Sequence, residues 1–205
     1  FCTVTANFGD YRGTWFKEGL DPDTHIKEKA QAEAIAQRVK GQTGRVISAQ
    51  TSRKRDLPPQ LYDLTSLQRD ANQMLGFTAE KTLKLAQSLY ETHKALTYPR
   101  TDSRYLPDDM IPKVKQAMQL LPEEYRKFVS GAMPNGQLPV TKRVFDASKV
   151  TDHHALLPTT NRVNLERMNV DERHLWDMVV RRMLAAFYPP CEYDATKVVT
   201  QVGEH

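Results

Sequence analysis

The amino-acid sequence predicts an α+β protein in which a mostly helical domain is inserted into a mostly β domain. Residues 1–20 are rich in β-forming side chains, and residues 193–202 return to that composition near the other end of the chain. Most of the sequence between them has the spacing and the capping residues of helices. We therefore predict one discontinuous β-rich domain from residues 1–62 and 190–205, and a helical domain from residues 63–189.

The first part of the chain predicts a hairpin-like pair of strands, then a helix and a further strand. Asp23-Thr24 has the side chains of a helix N-cap, and the Ala-, Glu-, Lys- and Gln-rich run behind it ends near residue 40. Strand-forming residues follow at 45–51. Pro58-Pro59 then interrupts the chain, and we place a domain boundary there.

The middle of the sequence predicts a succession of helices. Thr65 and Gln68 have the spacing of a capping box, and Thr78 is placed to cap the next helix. Further helices are predicted at residues 107–121, 122–129 and 171–187. The turn-forming residues of the 130–150 segment predict a long connection, and such connections often carry function.

The charge of the chain is compatible with a polyanionic partner but does not identify one by itself. The formal net charge is +4 at neutral pH, and mild basicity also occurs in proteins that bind no nucleic acid. Several basic residues, among them Arg53, Lys54 and Arg55, crowd one stretch with few acids. That stretch alone is more typical of a solvated basic face than of a binding site.

Composition also indicates the cellular compartment. No apolar run approaches the roughly 20 residues that span a bilayer, which predicts a chain without a membrane segment. The two cysteines, Cys2 and Cys191, lack the spacing of a zinc site, and we interpret them as reduced thiols of a cytoplasmic protein. Because the sequence starts without Met and ends directly after a strand-like run, we expect it to be part of a longer protein.

The segment that indicates chemistry reads Thr-Tyr-Pro-Arg-Thr-Asp-Ser at residues 97–103. Pro99 disfavours helical geometry at Tyr98, so that Tyr98 and Arg100, two positions apart, should project to the same side. A forked guanidinium matches two phosphate oxygens, while a tyrosine oxygen can attack phosphorus. The pair therefore indicates phosphodiester chemistry, whereas an isolated Tyr-Pro-Arg would more often be a surface turn.

This string resembles the active-site signature of the type IA DNA topoisomerases, in which the tyrosine becomes linked to a DNA 5′-phosphate. The resemblance implies that Tyr98 is the nucleophile and that Arg100 assists it. Neighbouring residues of the string are then candidate DNA contacts: Thr97, Asp102 and Ser103. The resemblance also implies single-stranded DNA as the partner, with strand cleavage and resealing that need no ATP.

Two further segments strengthen the resemblance. Thr-Asp-His-His-Ala-Leu-Leu-Pro-Thr at 151–159 is similar to the family's histidine segment, so that His153 would contact the DNA backbone near the scissile phosphate. Residues 59–68 resemble the segment that leads to the tyrosine in the topoisomerase III branch of the family. With DNA as the partner, three basic side chains also become candidate DNA contacts: Arg53, Lys54 and Arg55.

In the family's terms, the β-rich domain would be the arch and the helical domain would carry the catalytic tyrosine. The resemblance also implies Mg²⁺, bound by the carboxylates of a Toprim domain that these residues do not include, and it makes that domain a partner of this chain. Asp108-Asp109 and Glu123-Glu124 lie at predicted helix starts, where acids offset the helix dipole. We therefore assign no metal ligand to this chain.

Two interpretations from other classes stay open. A non-catalytic DNA-binding module would explain the basic charge and the paired helices, with Tyr98 stacking on a base or contacting phosphate. A relaxase-type nicking enzyme also uses tyrosine, but it needs spaced histidines for a metal, whereas His153 and His154 are adjacent. The complete Tyr-Pro-Arg-Thr-Asp-Ser string favours the topoisomerase interpretation over both.

Overall fold

The computed structural model describes residues 1–17 and 26–204, which contain both helices and strands, in agreement with the predicted mixed fold class. The described residues fall into two compact units. One is drawn from Phe1–Arg55 and Glu192–His205, and the other from Asp56–Cys191. That these units are the arch and the tyrosine-bearing domain of the family stays a prediction.

The first unit begins with short strands and one helix. β1 (Thr5–Asn7) and β2 (Arg12–Thr14) pair antiparallel, which confirms the predicted hairpin. α1 spans Lys29–Val39. The predicted helix cap Asp23-Thr24 lies outside the described residues. A small buried cluster holds the helix in place, and it consists of Ile26, Ala32 and Ile35.

A long two-stranded ribbon completes this unit. β3 (Arg45–Asp56) is paired with β4 (Cys191–Gln201). The hydroxyls of Thr51 and Thr196 lie 2.9 Å apart, and Arg53 donates to Asp194 over 3.2 Å. These contacts progress in opposite directions along the two strands, so the pairing is antiparallel. β4 confirms the predicted C-terminal strand, and β3 continues beyond the predicted residue 51.

Five α-helices of the second unit confirm the helical prediction for the middle of the chain. Their bounds are α2 Leu64–Leu75, α3 Ala79–Glu91, α4 Ile111–Gln119, α5 Arg126–Ala132 and α6 Val170–Ala186. Short 3₁₀ turns at Asp108–Met110 and Glu123–Tyr125 lead into α4 and α5. The predicted acidic pairs lie in these turns, where their charge suits the start of a helix.

The start of α2 differs from the prediction. The capping box is formed by Asp63 and Ser66, because the Asp63 carboxylate accepts from the Ser66 amide over 2.6 Å while the Ser66 hydroxyl faces the Asp63 amide at 3.2 Å. Thr65 and Gln68 are therefore not the cap. Gln68 instead donates to the carbonyl of Ala79 over 2.9 Å. The predicted cap of α3 is confirmed, since the Thr78 hydroxyl accepts from the Lys81 amide.

The core of the second unit forms around α6, which packs against α3. Its largest fully buried members include Leu67, Leu89, Leu96, Leu175, Trp176 and Met183. Burying one apolar side chain of this size stabilises the folded state by roughly 1.5–3 kcal/mol relative to leaving it exposed. The core therefore fixes α3, and with α3 the chain segment that directly follows it.

A buried carboxylate joins the end of α3 to the start of α6. Glu172 accepts from the Ser88 hydroxyl over 2.6 Å and from the Asn169 amide over 2.9 Å. Nε2 of His93 lies 3.3 Å from the same carboxylate. Asn169 in turn accepts from the Glu172 amide, which completes a capping box for α6.

The long connection after α5 returns the chain to the segment that follows α3. It turns at Pro134–Gly136, where Asn135 has φ 56°, and the left-handed region is one that Asn tolerates better than most residues. Isolated bridges then join Leu106 to Phe145, Tyr62 to Leu156, and Leu96 to Pro158. The Tyr-Pro-Arg string and the histidine segment are thereby brought side by side.

Candidate active site

The segment from Leu96 to Thr97 lies along the histidine segment in an irregular ladder. The Thr97 amide donates to the Leu157 carbonyl over 2.9 Å. The Leu157 amide donates to the Thr97 hydroxyl over 3.0 Å. Thr97, predicted to contact DNA, therefore already uses its hydroxyl to hold the two segments together.

The ring of Tyr98 lies between two other aromatic rings. The His153 ring centroid is 4.3 Å away with a tilt of 43°. The Tyr90 ring, from α3, meets Tyr98 edge-on at 5.6 Å and 83°. Such offset and edge-on geometries are favourable for aromatic pairs. Tyr98 itself is only partly buried, so that its ring is held in place while part of the side chain reaches the surface.

Arg100 is exposed, and its guanidinium is met by Gln87 of α3. With the Gln87 amide oxygen turned toward Arg100, that oxygen accepts from Nε over 3.3 Å and from Nη2 over 3.0 Å. The opposite amide orientation would set N–H groups against N–H groups, so the oxygen-facing orientation is the one that satisfies both side chains. Tyr98 and Arg100 are thus each contacted by a side chain of α3.

The rest of the string is tied down by hydroxyl groups. Buried Thr101 donates to the carbonyl of His153 over 3.1 Å. Buried Ser103 donates to the carbonyl of Lys149 over 3.1 Å. Thr101 thus ties the string to the histidine segment, and Ser103 ties it to the turn directly before that segment. Of the predicted DNA contacts in this string, Ser103 therefore serves first as an internal support.

The exposed face of the site carries different side chains. Asp102 is exposed and accepts from the Thr151 hydroxyl over 2.7 Å. His153 is also exposed, whereas Nδ1 of the half-buried His154 lies 2.8 Å from the Ala155 carbonyl. The two adjacent histidines are thus separated by environment, and His153 is the one presented beside Tyr98.

Residues at the start of α2 also hold the string in place. The Leu64 amide donates to the Thr101 carbonyl over 2.9 Å. Nε of Arg104 donates to the Asp63 carboxylate over 2.8 Å. Burial alone would raise the pKa of Asp63, but hydrogen bonds from Ser66 and Arg104 outweigh it and hold the pKa below its ordinary value. The carboxylate is therefore charged while it caps α2 and binds Arg104.

The sequence as a whole matches one family. The family model described as DNA topoisomerase matches residues 1–205, the full stretch that contains the Tyr98 string and the histidine segment. The chain belongs to the type IA DNA topoisomerase family. Within that family it is similar to bacterial topoisomerase III, as the following relatives show.

The chain is 40% identical over 191 residues to a DNA topoisomerase 3 of Bacillus cereus, covering 93% of this chain and 26% of that protein. It is 39% identical over 206 residues to a DNA topoisomerase 3 of Shouchella clausii, covering 98% of this chain and 27% of that protein. The chain therefore spans about a quarter of the length of the curated relatives that it matches.

A solved structure shows the same fold. It is the full-length topoisomerase I from Thermotoga maritima, with a TM-score of 0.62 and 22% sequence identity. The match covers 98% of this chain and 31% of that one. The arrangement of helices and strands around the Tyr98 string is thus a fold found in a topoisomerase.

The basic stretch lies on the β3–β4 ribbon, in the other unit of this topoisomerase family member. Arg53 contacts Asp194 at 3.2 Å and Glu192 at 3.4 Å. Nε of Arg55 lies 3.9 Å from Glu192. Across the described ranges, Lys54 takes part in no such ion pair. Two of the three predicted basic DNA contacts therefore have acidic neighbours, while the charge of Lys54 is uncompensated by an ion pair.

The described residues contain no group of three or more His, Cys, Asp or Glu side chains that could hold a metal ion. That Mg²⁺ is bound by a Toprim domain outside these residues stays a prediction. Likewise, in the part of the chain that the structure describes, no helix is both long and apolar enough to cross a membrane.

Three residues of the site escaped the sequence prediction. Gln87 and Tyr90 occur three positions apart on α3, a spacing that places both on one helix face, and Arg104 follows the string directly. Helical spacing indicates that the first two share a face, but it does not indicate that this face meets the tyrosine string. Nothing in the sequence indicates that Arg104 pairs with Asp63, because the two residues meet only in the folded unit.

Proposed function

We propose that this chain supplies the nucleophile of a DNA strand-cleaving and resealing enzyme, and that the nucleophile is Tyr98. The phenol oxygen would attack a backbone phosphorus of single-stranded DNA, forming a bond to the 5′-phosphate and expelling the 3′-oxygen. Reversal of this exchange reseals the strand. Since one phosphodiester replaces another, the cycle needs no ATP.

The observation that supports this proposal most is the placement of Tyr98. Its ring is fixed between Tyr90 and His153, and its partly exposed side chain lies two positions before the exposed Arg100 in the sequence. In this proposal the Arg100 guanidinium binds phosphate oxygens, and His153 contacts the backbone near the scissile phosphate. Asp102 and Lys54 are further candidate DNA contacts, because both are exposed.

The departing 3′-oxygen needs a proton, and general acids of this kind contribute roughly 10²–10⁴ in rate. We propose that the acid and the Mg²⁺ belong to a Toprim domain that acts together with this chain. When bound there, the ion would supply charge stabilisation at the phosphate. The residues of this chain would bind the strand, orient the phosphate and provide the attacking oxygen.

The decisive experiment replaces Tyr98 by Phe in the full-length protein. The wild type is mixed with labelled single-stranded DNA and Mg²⁺, and covalent adduct is separated on a denaturing gel. Tyr98→Phe should abolish the adduct while noncovalent binding persists, because only the attacking oxygen is lost. Tyr105→Phe removes a hydroxyl from the same loop and should leave the adduct intact. An adduct in Tyr98→Phe would assign the nucleophile to another residue.

A complementary test asks whether these 205 residues act alone. We expect them neither to relax supercoiled plasmid nor to accumulate adduct, and we expect activity to return when a Toprim-containing portion is added. Relaxation by the chain alone would show that its active site is complete. DNA binding without any adduct, even in the full-length protein, would favour a non-catalytic binding module.

A further inference from the structure

Gln87 contacts the one arginine of the tyrosine string, and it does so from α3 rather than from the string itself. In the amide orientation that satisfies both side chains, its oxygen accepts from Nε of Arg100 over 3.3 Å and from Nη2 over 3.0 Å. Gln87 is half-buried on a helix whose inner face lies in the core, whereas Arg100 is exposed. A long, exposed side chain of the string is thus held by a group on a helix that packs in the core.

The contact uses one edge of the guanidinium and leaves the other edge open. A guanidinium carries five N–H donors, one on Nε and two on each terminal nitrogen. Gln87 engages the edge formed by Nε and Nη2. The edge formed by Nη1 and the remaining Nη2 donor is then available, and its two parallel N–H groups match two oxygens of one phosphate.

The chemical nature of Gln87 is as important as its position. A carboxylate at this place would accept the same two hydrogen bonds, but it would also neutralise Arg100. A neutral amide orients the guanidinium and leaves its full positive charge for a ligand. Within the described residues no acidic side chain pairs with Arg100, which is consistent with a charge kept for a phosphate.

We propose that Gln87 is a positioning residue that orients Arg100 toward the scissile phosphate while keeping its charge uncompensated. This inference rests on the proposed function, since it assigns the phosphate-binding role to Arg100. It adds a residue outside the Tyr-Pro-Arg string to the machinery of strand cleavage.

The test compares two variants in the full-length protein with single-stranded DNA and Mg²⁺. Gln87→Glu retains the shape and the two accepted hydrogen bonds but adds a negative charge. Gln87→Met retains the length and removes the acceptor. Gln116→Glu adds the same charge to an exposed position of α4 and serves as the control. The rate of adduct formation at saturating DNA is measured separately from DNA affinity, and thermal unfolding is followed for each variant.

We expect Gln87→Glu to lower the adduct-formation rate by about tenfold or more, because it neutralises a group that stabilises charge developing at the phosphate. Gln87→Met should lower the rate by a smaller factor, since Arg100 is loosened but still charged. The unfolding temperatures should stay close to that of the wild type, and Gln116→Glu should react like the wild type.

A purely structural role for Gln87 would give the opposite order, with Gln87→Glu as active as the wild type and only Gln87→Met impaired. That result, or unchanged rates in both variants, overturns the inference while Tyr98-dependent adduct in the wild type leaves the proposed function intact. Should Gln87→Glu fail to fold, the rate of Gln87→Met still decides, because wild-type rates in a variant without an acceptor exclude positioning. Absence of wild-type adduct removes the proposed function and this inference together.

Discussion

The His153 ring lies 4.3 Å from the Tyr98 ring, tilted by 43°, although the two residues belong to segments far apart in the sequence. Hydrogen bonds made by residues before and after Tyr98 in the string hold the two rings in contact. The Thr97 hydroxyl accepts a hydrogen bond from the Leu157 amide, and the Thr101 hydroxyl donates to the His153 carbonyl. His153 is therefore positioned both by its ring and by its own backbone.

Replacing His153 separates ring packing from hydrogen bonding. We expect His153→Ala in the full-length protein to slow adduct formation by up to about tenfold, because an aromatic pair contributes roughly 0.5–1.5 kcal/mol. His153→Phe keeps an aromatic ring beside Tyr98 but loses the ring nitrogens. It should therefore retain most of the cleavage rate at saturating DNA while binding DNA more weakly. Equal rates in His153→Ala and the wild type would show that the contact does not position Tyr98.

The basic ribbon allows a test of DNA affinity. Lys54→Gln should weaken binding of single-stranded DNA and reduce the slope of log affinity against log salt by about 0.7, the value for one phosphate contact. Arg53→Gln should have a smaller effect, because Arg53 already contacts Asp194 and Glu192. Fluorescence anisotropy across a salt titration of each full-length variant measures the DNA affinity and its dependence on salt. Identical slopes for Lys54→Gln and the wild type would exclude Lys54 from the interface.

Asp63 should be important for stability. Asp63→Ala removes the cap of α2 and leaves Arg104 without its carboxylate, so we expect the free energy of unfolding to fall by about 1–3 kcal/mol. Asp63→Asn can still cap α2, so its free energy of unfolding should fall by less. Asp109→Asn makes the same amide change in a 3₁₀ turn without a side-chain cap, and it should alter stability by less than about 0.5 kcal/mol. Urea unfolding measures these differences. A loss in Asp63→Asn as large as in Asp63→Ala would assign the effect to the Arg104 pair alone.

Glu172 should make stability depend on pH. Burial alone would raise its pKa, but hydrogen bonds from Ser88 and Asn169, together with His93, outweigh burial and lower the pKa. A carboxyl with a lowered folded-state pKa stabilises the fold above its unfolded pKa of roughly 4.3, and this contribution is lost as pH falls through the folded-state value. Glu172→Gln should therefore be less stable than the wild type at neutral pH, with the difference shrinking in acid.

Urea unfolding at a series of pH values measures that difference. Glu166→Gln changes an exposed carboxyl in the same part of the chain and provides the matched control. It should show little difference from the wild type at any pH. A gap between Glu172→Gln and the wild type that widened as the pH fell would contradict the assignment of the lowered pKa to Glu172.

Local chemistry explains which elements of the fold were predictable. Thr78 precedes a helical run and caps it, and the β-branched residues before Gln201 form β4. The start of α2 was predicted two residues late, because Thr65 and Gln68 have capping spacing but Asp63 accepts the decisive hydrogen bond. Local patterns rank candidate caps, and only the folded chain decides among them.

The site was predictable where the sequence contains a long string and not where it depends on tertiary contacts. Tyr98, Arg100 and His153 lie in segments whose order of residue types is distinctive. Gln87 carries no such signal, because a single amide on an amphipathic helix is usually a surface residue. Gln87 meets Arg100 only because the tyrosine string folds back over α3, and the course of the string depends on the core packing beneath it.

The ladder between Thr97 and Leu157 has a mechanical consequence for the proposed chemistry. A strand end attached to Tyr98 would stay beside His153 through any displacement of this unit, because both side chains are anchored in one hydrogen-bonded body. The cleaved DNA end would then move together with this unit and keep its contact with His153. Rejoining would require only that the other end return to the same place, since the surroundings of the captured phosphate on this side would not need rebuilding.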